Sequence, residues 1–291
     1  MATVTPLSGA GAEIGDVDIA RLSDDEFAVV HQAFVEHGVI FFRDQELTEA
    51  DHIAFAQRFS TINVNRFFAR HDDHEEIALV IKEPKHELNI GGAWHADHSY
   101  DAEPALGSIL VARELPPKGG DTLFASMYAA YAGLPADLRE VVDTHSALHS
   151  GKHIFAEGGA YDALPDFNDR IGNTEAGNAL VDTVHPMVIG HPLSGKPALF
   201  VNPGFTIGIE GMPDGEAQVI LQRLYDHAGQ PEFTGRFVWE PGSVAFWDNR
   251  AVWHLAMNDY PGQRRVMHRI TLDGCPLSGF EDQLAGAAPE V

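Results

Sequence analysis

The stretch Ser243-Val-Ala-Phe-Trp-Asp-Asn-Arg-Ala-Val-Trp-His254, followed by Val266-Met-His-Arg-Ile-Thr-Leu272, contains the pattern that decides the fold prediction. Each part includes a short apolar run, and the turn residues Asp259-Tyr-Pro-Gly-Gln263 lie between the two. Short apolar runs bounded by Gly and Pro are typical of β-strands. Similar runs occur at residues 39–42, 107–112 and 197–202. Many short strands with few helices predict a mainly β fold, a sandwich or jelly roll with flanking helices.

Three segments of the chain predict those helices. Ser23-Asp-Asp-Glu26 has the form of a capping box, and Gly38 follows as a stop signal. Thr48-Glu-Ala-Asp51 has a similar form and opens a second helix. Apolar residues at helical spacing between positions 217 and 228 predict a third.

The chain is interpreted as one domain over residues 1–291, because no repeat, low-complexity tract or linker divides it. Two irregular segments, about 61–92 and 151–184, are candidate lids, since long irregular loops in compact domains are often functional. For the second segment a disordered insertion is the alternative. Residues 277–291 are expected to form a loose tail or an oligomer contact.

The composition excludes several classes of partner and cofactor. With 43 acidic and 19 basic residues the net charge is −24, which argues against nucleic acid and anionic membranes as partners. The single cysteine, Cys275, excludes an internal disulfide, thiolate zinc sites and iron–sulfur clusters. The sequence contains no apolar stretch of about 20 residues and no secretory pattern, so we expect a cytoplasmic protein.

Candidate metal ligands are found in Trp94-His95-Ala96-Asp97. In an extended segment His95 and Asp97 project to the same side, because side chains alternate with a period of two. His254 is the best candidate for a third ligand. Two histidines and one carboxylate make up the facial triad of non-haem iron(II) oxygenases, which leaves coordination positions for co-substrate and O2.

Two arginines follow the third candidate ligand. Arg265 and Arg269 come after His254 and the turn, so we predict that the strand with His254 returns as a hairpin carrying both arginines. The two positions differ by four and therefore share a face of the strand. A guanidinium binds a carboxylate through two parallel hydrogen bonds, and 2-oxoglutarate needs such an anchor.

Along nearly its whole length the chain resembles the taurine/2,4-dichlorophenoxyacetate dioxygenases, the TauD/TfdA group. The matching elements are Trp94-His-Ala-Asp97, Gly119-Gly-Asp-Thr122, His191-Pro-Leu-Ser-Gly195, Trp247-Asp-Asn-Arg250, His254 and Arg264-Arg-Val-Met-His-Arg269. Their occurrence in the right order is far more specific than the His-x-Asp pattern alone.

The resemblance implies a double-stranded β-helix (jelly-roll, cupin-like) core and an enzyme that uses Fe(II), 2-oxoglutarate and O2. Such an enzyme hydroxylates a C–H bond of a small substrate and releases succinate and CO2. The resemblance also implies that His95, Asp97 and His254 hold the iron, and that Thr122 and Arg265 hold the distal carboxylate of 2-oxoglutarate. By analogy with the family, a homo-oligomer is expected.

For the substrate, the resemblance implies an organic anion. Arg269 matches the position that meets the sulfonate in taurine enzymes. Those enzymes have His-x-x-Tyr where this chain has Asn65-Arg-Phe-Phe68, and Asp-Asn where it has Ile90-Gly91. These departures argue against taurine and favour an apolar body, as in the phenoxypropionate-cleaving branch. Asn65, Phe68, Gly91, Arg269 and Lys152 are the predicted substrate contacts, and an aryloxyalkanoate-like carboxylate is the favoured substrate.

Three alternatives stay open at this point. The first is an alkylsulfonate, taurine or alkyl sulfate dioxygenase, in which Arg269 holds the sulfur group. The second is a zinc-dependent hydrolase with the same two histidines and carboxylate, although such an enzyme needs no 2-oxoglutarate anchor. The third is a non-catalytic β-sandwich binding module, which needs no open metal site.

Overall fold

The computed structural model describes residues 2–286. Its strands are β1 (Thr3–Pro6), β2 (Ala12–Gly15), β3 (Val39–Phe42), β4 (Ile62–Asn63), β5 (Ala78–Lys82), β6 (Gly107–Glu114), β7 (Thr122–Ser126), β8 (Ser146–His149), β9 (Thr183–Pro186), β10 (Val188–Gly190), β11 (Pro197–Leu199), β12 (Thr206–Ile209), β13 (Thr234–Phe237), β14 (Val244–Asp248), β15 (Val252–Ala256) and β16 (Arg265–Leu272). Its helices are α1 (Asp24–His37), α2 (Glu49–Gln57), α3 (Met127–Ala132), α4 (Ala136–Thr144), α5 (Lys152–Phe155), α6 (Ala160–Ala163), α7 (Thr174–Asn178), α8 (Asp214–Ala228) and α9 (Phe280–Gly286). Short 3-10 turns occupy Ile19–Arg21 and Pro165–Phe167. The prediction of a mainly β fold with flanking helices is confirmed.

The strands form one major sheet and a smaller sheet that faces it. The major sheet has the order β1-β2-β3-β14-β6-β16-β4, and β5 also pairs with β16. The minor sheet has the order β13-β7-β15. The remaining strands form two small sheets, β12-β8-β9 and β10-β11. Pairing is antiparallel except between β2 and β3.

Alternation of side chains along the central strands separates two apolar layers. In β3, Ile40 and Phe42 belong to the layer under the helices, whereas Val39 and Phe41 point between the sheets. Phe41 meets Phe124 of β7 there, with ring centroids 5.3 Å apart. This packing holds the major and minor sheets face to face, as the period of two in a strand requires.

Helix α1 covers the outer face of the major sheet, and its ends are as the sequence predicts. Ser23 and Glu26 form the capping box, and Gly38 ends the helix in the left-handed conformation at φ 73°. Phe34 stacks on Phe246 of β14 with ring centroids 4.0 Å apart. Burial of such large rings is the main stabilising contribution of the helix.

The predicted hairpin between β15 and β16 is wrong. Strand β15 pairs with β7 in the minor sheet, whereas β16 pairs with β4, β5 and β6 in the major sheet. The turn at 259–263 therefore carries the chain from one sheet to the other. A turn with Pro261 and Gly262 fits either topology, and only long-range pairing decides between them.

Two other predictions of local structure need correction. His95 forms an isolated antiparallel bridge with His254, and Asp97 already lies in a turn, so this segment is not a continuous strand. The run at 197–202 is a strand only over Pro197–Leu199.

The two candidate lid segments pack against each other. Segment 151–184 contains three short helices, α5 to α7, where the sequence shows weak periodicity. Phe67 of the first segment stacks on Phe155 of the second with ring centroids 4.0 Å apart. Phe68 and Ile171 form a β-bridge between the same segments. Both segments thus form one apolar cover, and their opening and closing stays a prediction.

The first part of the predicted tail packs on the chain itself. The N–H of Gly190 in β10 donates to the carbonyl of Ser278 at 3.1 Å, and Ile189 forms a bridge with Gly279. Residues 287–291 lie outside the described part of the chain. Within residues 2–286, every helix is too short or too polar to cross a bilayer.

Candidate active site

Three side chains converge at the edge of the minor sheet. Nε2 of His95 lies 3.6 Å from Oδ1 of Asp97, and Nε2 of His254 lies 3.6 Å from Oδ2 of the same carboxylate. All three ligand atoms are within 4.8 Å of one another. The structure thus brings together the three candidate metal ligands that the sequence predicts.

Backbone pairing fixes this arrangement. The N–H of His254 donates to the carbonyl of His95 at 2.9 Å, and the N–H of His95 donates back to the carbonyl of His254 at 3.2 Å. The short bridge therefore extends β15 at one point and sets the two imidazoles side by side. Their ring centroids are 4.1 Å apart.

The protonation of these groups suits a cation between them. Nδ1 of His95 lies 2.8 Å from the carbonyl of Ala93, so Nδ1 carries the proton and Nε2 keeps its lone pair for a metal. Burial lowers the pKa of His254 well below its ordinary value, which keeps this imidazole neutral. Burial alone raises the pKa of Asp97, but Arg269 and the two histidines outweigh it and hold that pKa far below its usual range.

Gly91 leaves space beside this group. Its φ is +72°, and a Cβ at this position would lie 3.0 Å from Cε1 and 3.3 Å from Nε2 of His95. A side chain would therefore crowd the edge of the imidazole that carries the Nε2 lone pair. Gly91 lines the cavity, as the sequence predicts for a substrate contact.

Arg265 lies in the same cavity with unsatisfied donors. Only 5% of the residue is exposed, and its Nε and Nη2 atoms have no hydrogen-bond partner. Asp121, a carboxylate whose charge acts on Arg265, forms an ion pair with Arg236 at 2.6 Å. Burial lowers the pKa of Arg265, so the charged guanidinium is costly there without an anion.

Thr122 of β7 stands across from Arg265 on the minor sheet, and both line the cavity. Its Oγ1 accepts a hydrogen bond from Nε1 of Trp239 at 3.0 Å, which leaves the hydroxyl proton available to a ligand. A carboxylate between Thr122 and Arg265 would satisfy all of these donors. The cleft between the two sheets therefore has the candidate metal ligands at one end and the unpartnered donors of Arg265 at the other.

Arg269 lies on β16 between these two ends. Its Nη1 donates to Oδ2 of Asp97 at 3.2 Å, its Nε has no partner, and its guanidinium lies 4.5 Å from the ring centroid of Phe68. The cavity that contains all of these groups is lined by Phe68, Val80, Ile90, Gly91, His95, Asp97, Leu110, Thr122, Phe155, Tyr161, Phe205, Trp247, His254, Ala256, Arg265 and Arg269.

Two predicted substrate contacts do not line this cavity. Oδ1 of Asn65 accepts hydrogen bonds from the backbone N–H groups of Phe67 and Phe68, so Asn65 shapes the loop that presents Phe68. Nζ of Lys152 lies 3.3 Å from Asp182, and the side chain is 44% exposed. The structure thus does not place Asn65 or Lys152 in the cavity lining, and their contact with a substrate stays a prediction. Alignment of motifs locates a segment but not the direction of its side chains.

Several lining residues escaped the sequence analysis. Leu110 of β6 is paired with Arg269 in the major sheet, and Val80 of β5 is paired with Met267. Phe155, Tyr161 and Phe205 come from the cover and from the loop before β12. The strand residues could be found only from the register of the sheet. The cover residues carry no distinguishing pattern in the sequence.

A buried cluster of charged and polar side chains lies next to Trp247, which packs on His254. Asp248 accepts hydrogen bonds from Nε and Nη2 of Arg250 at 2.9 and 2.7 Å, and it lies 3.0 Å from Nε2 of His191. Burial raises the pKa of Asp248, but Arg250 and His191 outweigh this effect and hold the pKa far below its usual range. The adjacent Trp247 packs its ring 4.6 Å from that of His254. The motif Trp247-Asp-Asn-Arg250 thus anchors the strand that faces the candidate metal ligands.

One further group with metal-ligand chemistry occurs in the part of the chain that the structure describes. Glu49, His71 and His268 bring their ligand atoms within 4.8 Å of one another, although the sequence gives no ligand spacing for His71. Arg113 already contacts two members of this group. Its Nε donates to Nδ1 of His268 at 3.1 Å, and its Nη2 lies 3.4 Å from Glu49. A guanidinium thus supplies the positive charge there.

The family of taurine catabolism dioxygenases, TauD/TfdA, matches residues 3–271 of the chain. The chain belongs to the TauD/TfdA family. It is therefore a non-haem Fe(II)- and 2-oxoglutarate-dependent dioxygenase that uses O2. The predictions of the family, the enzyme class and these cofactors are confirmed.

Similar proteins in this family act on different anions. The TauD/TfdA chain is 33% identical to an alpha-ketoglutarate-dependent sulfate ester dioxygenase from Pseudomonas putida, over 97% of its own length and 93% of the relative's. It is 30% identical to an (S)-phenoxypropionate/alpha-ketoglutarate-dioxygenase from Sphingobium herbicidovorans, over 94% of its own length and 96% of the relative's.

Solved structures agree with the fold. A taurine dioxygenase from Burkholderia xenovorans superposes with a TM-score of 0.79 at 34% identity, covering 96% of this chain and 91% of that one. AAD-2, solved with Mn(II) and N-oxalylglycine, superposes with a TM-score of 0.75 at 26% identity. The superposition covers 94% of this chain and 98% of that one. The jelly-roll core predicted for this TauD/TfdA enzyme is thereby confirmed.

Proposed function

We propose that this enzyme hydroxylates a C–H bond of a small organic anion with an apolar body, releasing succinate and CO2 from 2-oxoglutarate. An aryloxyalkanoate-like carboxylate is the favoured substrate. The observation that carries the proposal is Arg265, a buried guanidinium with two unpartnered donor atoms in the same cavity as His95, Asp97 and His254. A buried charge of this kind is stable only with a counter-ion, and the distal carboxylate of 2-oxoglutarate is one.

In this proposal His95, Asp97 and His254 would hold Fe(II). The Nδ1–H of His95 is fixed by the carbonyl of Ala93, so this ring presents its lone pair in a set direction. Iron bound by three protein ligands supplies the reactivity towards O2 that oxidises the C–H bond. The protein supplies the positions of the reactants and excludes water.

Thr122 and Arg265 would bind the distal carboxylate of 2-oxoglutarate from opposite sheets. The hydroxyl of Thr122 donates one hydrogen bond, and Nε and Nη2 of Arg265 donate two in parallel. The co-substrate is thereby oriented with its other end towards His95, Asp97 and His254. Because the anchor comes from both sheets, it also depends on their packing.

Arg269 would bind the anionic group of the prime substrate. Its Nη1 donates to Asp97, whereas its buried Nε has no partner and stays available as a donor. Phe68 lies under the guanidinium, and Val80, Leu110 and Phe205 line the cavity as apolar surface. This combination suits a substrate with a charged end and an apolar body close to it.

A sulfate ester or alkylsulfonate is the second candidate substrate. The similarity to a sulfate ester dioxygenase over 97% of the chain favours it. A sulfo group offers three acceptor oxygens to Arg269 instead of two. Taurine itself is disfavoured, because Phe68 and Gly91 provide no partner for its ammonium group. A zinc hydrolase is also disfavoured, since Arg265 would have no counter-ion in it.

The test is an anaerobic optical titration of the metal-free protein with Fe(II) and then 2-oxoglutarate. We expect a weak charge-transfer band in the visible that is lost in His95→Ala and weakened in Arg265→Ala. Phenoxyacetate, 2-phenoxypropionate and alkyl sulfates are then added, and succinate and phenol or aldehyde release are measured in air. A fully metal-loaded protein without a band would overturn the assigned ligands. Turnover of sulfates without turnover of aryloxy acids would favour the second candidate.

A further inference from the structure

A second apolar cavity adjoins the candidate iron site. We call it the outer groove and define it by Leu88, Trp94, Ile154, Ala160, Leu164 and Phe167. It has a volume of about 350 Å³, against about 70 Å³ for the inner cavity that contains the arginines. The outer groove is therefore the larger of the two empty spaces beside His95.

The two cavities have four lining residues in common. Gly91, His95, Tyr161 and Phe205 line both of them. Gly91 has no side chain, so the ring of His95, 14% exposed, is bordered on one side by backbone only. The outer groove therefore adjoins the inner cavity beside the candidate metal ligand His95.

The chemistry of the outer groove is apolar. Its polar wall residues are already engaged: Asn89 donates to the carbonyl of Met257 at 2.6 Å, and Asn258 binds Lys82 and the carbonyl of Glu87. Among the described residues that line it, none is Lys, Arg, Asp or Glu. The groove therefore offers no counter-ion to the anionic end of a substrate. Its apolar lining can instead pack against an alkyl chain.

Exposed leucines stand in the same groove. Leu88 is 40% exposed and Leu164 is 41% exposed, and both belong to its lining. Exposed leucines occur singly on most protein surfaces, but here they extend an apolar surface that begins beside His95. An alkyl chain lying in the groove would cover both of them.

We propose that the outer groove binds an extended alkyl tail of the prime substrate, while Arg269 holds its anionic group in the inner cavity. This inference rests on the proposed function and names the substrate class more closely: organic anions whose apolar part is longer than one aromatic ring. Both 1-alkyl sulfates and 4-alkylphenoxyacetates have this chemistry. The test separates them.

The experiment measures kcat/KM by succinate release for two series, 1-alkyl sulfates from ethyl to decyl and 4-alkylphenoxyacetates from methyl to hexyl. Burial of each methylene should raise kcat/KM about fourfold until the groove is full. Only the series with the correct head group will be turned over efficiently. Within that series, a flat dependence on chain length would overturn the proposal.

Substitutions at Leu88 and Leu164 test whether the outer groove causes the dependence of kcat/KM on chain length. Leu164→Asp and Leu88→Asp should lower kcat/KM for the longest substrate at least tenfold and leave the shortest unchanged. Leu193→Asp is the matched control, because Leu193 is 42% exposed and lies outside the groove. Ala160→Trp should shift the optimum to shorter chains. If Leu164→Asp and Leu193→Asp lowered kcat/KM for the longest substrate equally, the proposal that the outer groove binds the alkyl tail would be contradicted.

Failure of the groove and failure of the proposed function give different results. If short anions are turned over with no benefit from longer chains, only the groove is wrong. If the iron–2-oxoglutarate band forms but no anion of either series perturbs it or is turned over, the proposed substrate class is wrong, and the groove proposal falls with it.

Discussion

Nη1 of Arg269 donates to Oδ2 of Asp97 across 3.2 Å, and the same carboxylate oxygen lies 3.6 Å from Nε2 of His254. A side chain proposed to bind substrate thus touches a side chain proposed to bind iron. Arrival of an anion at Arg269 would weaken its hold on Asp97, since the guanidinium has two acceptors to serve. The two functions are therefore coupled through one carboxylate.

The first prediction concerns Arg269. Arg269→Lys keeps the charge but loses the fork geometry, so kcat/KM for the prime substrate should fall about 100-fold. The KM for 2-oxoglutarate should change little, because Arg265 is intact. Steady-state kinetics with each substrate varied in turn will measure both values. A rise in the two KM values by the same factor would contradict separate roles.

The second prediction separates Arg265 from its neighbour. Arg265→Ala removes two charge-assisted hydrogen bonds and should raise the KM for 2-oxoglutarate about 100-fold. Arg264→Ala is the matched control, since Arg264 is half-exposed and forms ion pairs with Glu83 and Glu114 on the surface. It should change that KM less than about twofold. Similar effects of the two substitutions would exclude Arg265 as the anchor.

The third prediction compares two adjacent glycines. Gly91→Ala places a Cβ 3.0 Å from Cε1 of His95 at a positive φ, so Fe(II) affinity should fall about tenfold or more. Gly92→Ala is the control, because its Cβ would meet nothing closer than the carbonyl of Asn89 at 3.6 Å. Calorimetric titration with Fe(II) under nitrogen measures both affinities. Unchanged affinity in Gly91→Ala would argue against His95 as a ligand.

The fourth prediction concerns the pH dependence of stability. His52 is fully buried, neither of its ring nitrogens has a hydrogen-bond partner, and burial lowers its pKa to about 3. A histidine in an unfolded chain has a pKa near 6.5. Below that pH, His52 therefore binds a proton in the unfolded chain but stays neutral in the folded chain. Stability therefore falls as the pH falls from about 6.5 towards 3.

His52→Leu should make this fall less steep by about 1.4 kcal/mol per pH unit. Urea unfolding between pH 6.5 and 4.5 gives the slope for each variant. A slope unchanged in His52→Leu would mean that His52 is protonated in the folded state.

The elements predicted well from sequence are those that local chemistry determines. The capping box at Ser23 and Glu26, the stop at Gly38 and the strand at Val39–Phe42 depend on neighbours in the chain. The grouping of His95 and Asp97 is local in the same sense. Their convergence with His254 could be predicted because the order of motifs in the chain matches that of a known family.

The sequence could not predict features that depend on distant pairing. The turn at 259–263 is compatible with a hairpin and with a crossover, so β16 was expected beside β15 and lies instead in the opposite sheet. Asn65 and Lys152 belong to segments that contribute Phe68 and Phe155 to the cavity, but the side chain of Asn65 bonds to the backbone of Phe68 and that of Lys152 to Asp182. Tyr161 lines both cavities because a short helix in a weakly periodic segment places it there, and that position has no sequence signal.

The crossover between β15 and β16 has a mechanical consequence. His254 belongs to one sheet and Arg265 to the other, and side-chain packing such as that of Phe41 on Phe124 holds the sheets together. A transient separation of the two layers would move Arg265 away from Thr122 and break the contact between Arg269 and Asp97, whereas the paired His95 and His254 would stay together on the minor sheet. The stability of the packing between the sheets should therefore affect how long 2-oxoglutarate stays bound, and a cavity-forming substitution remote from the cleft should shorten its residence time more than that of the metal.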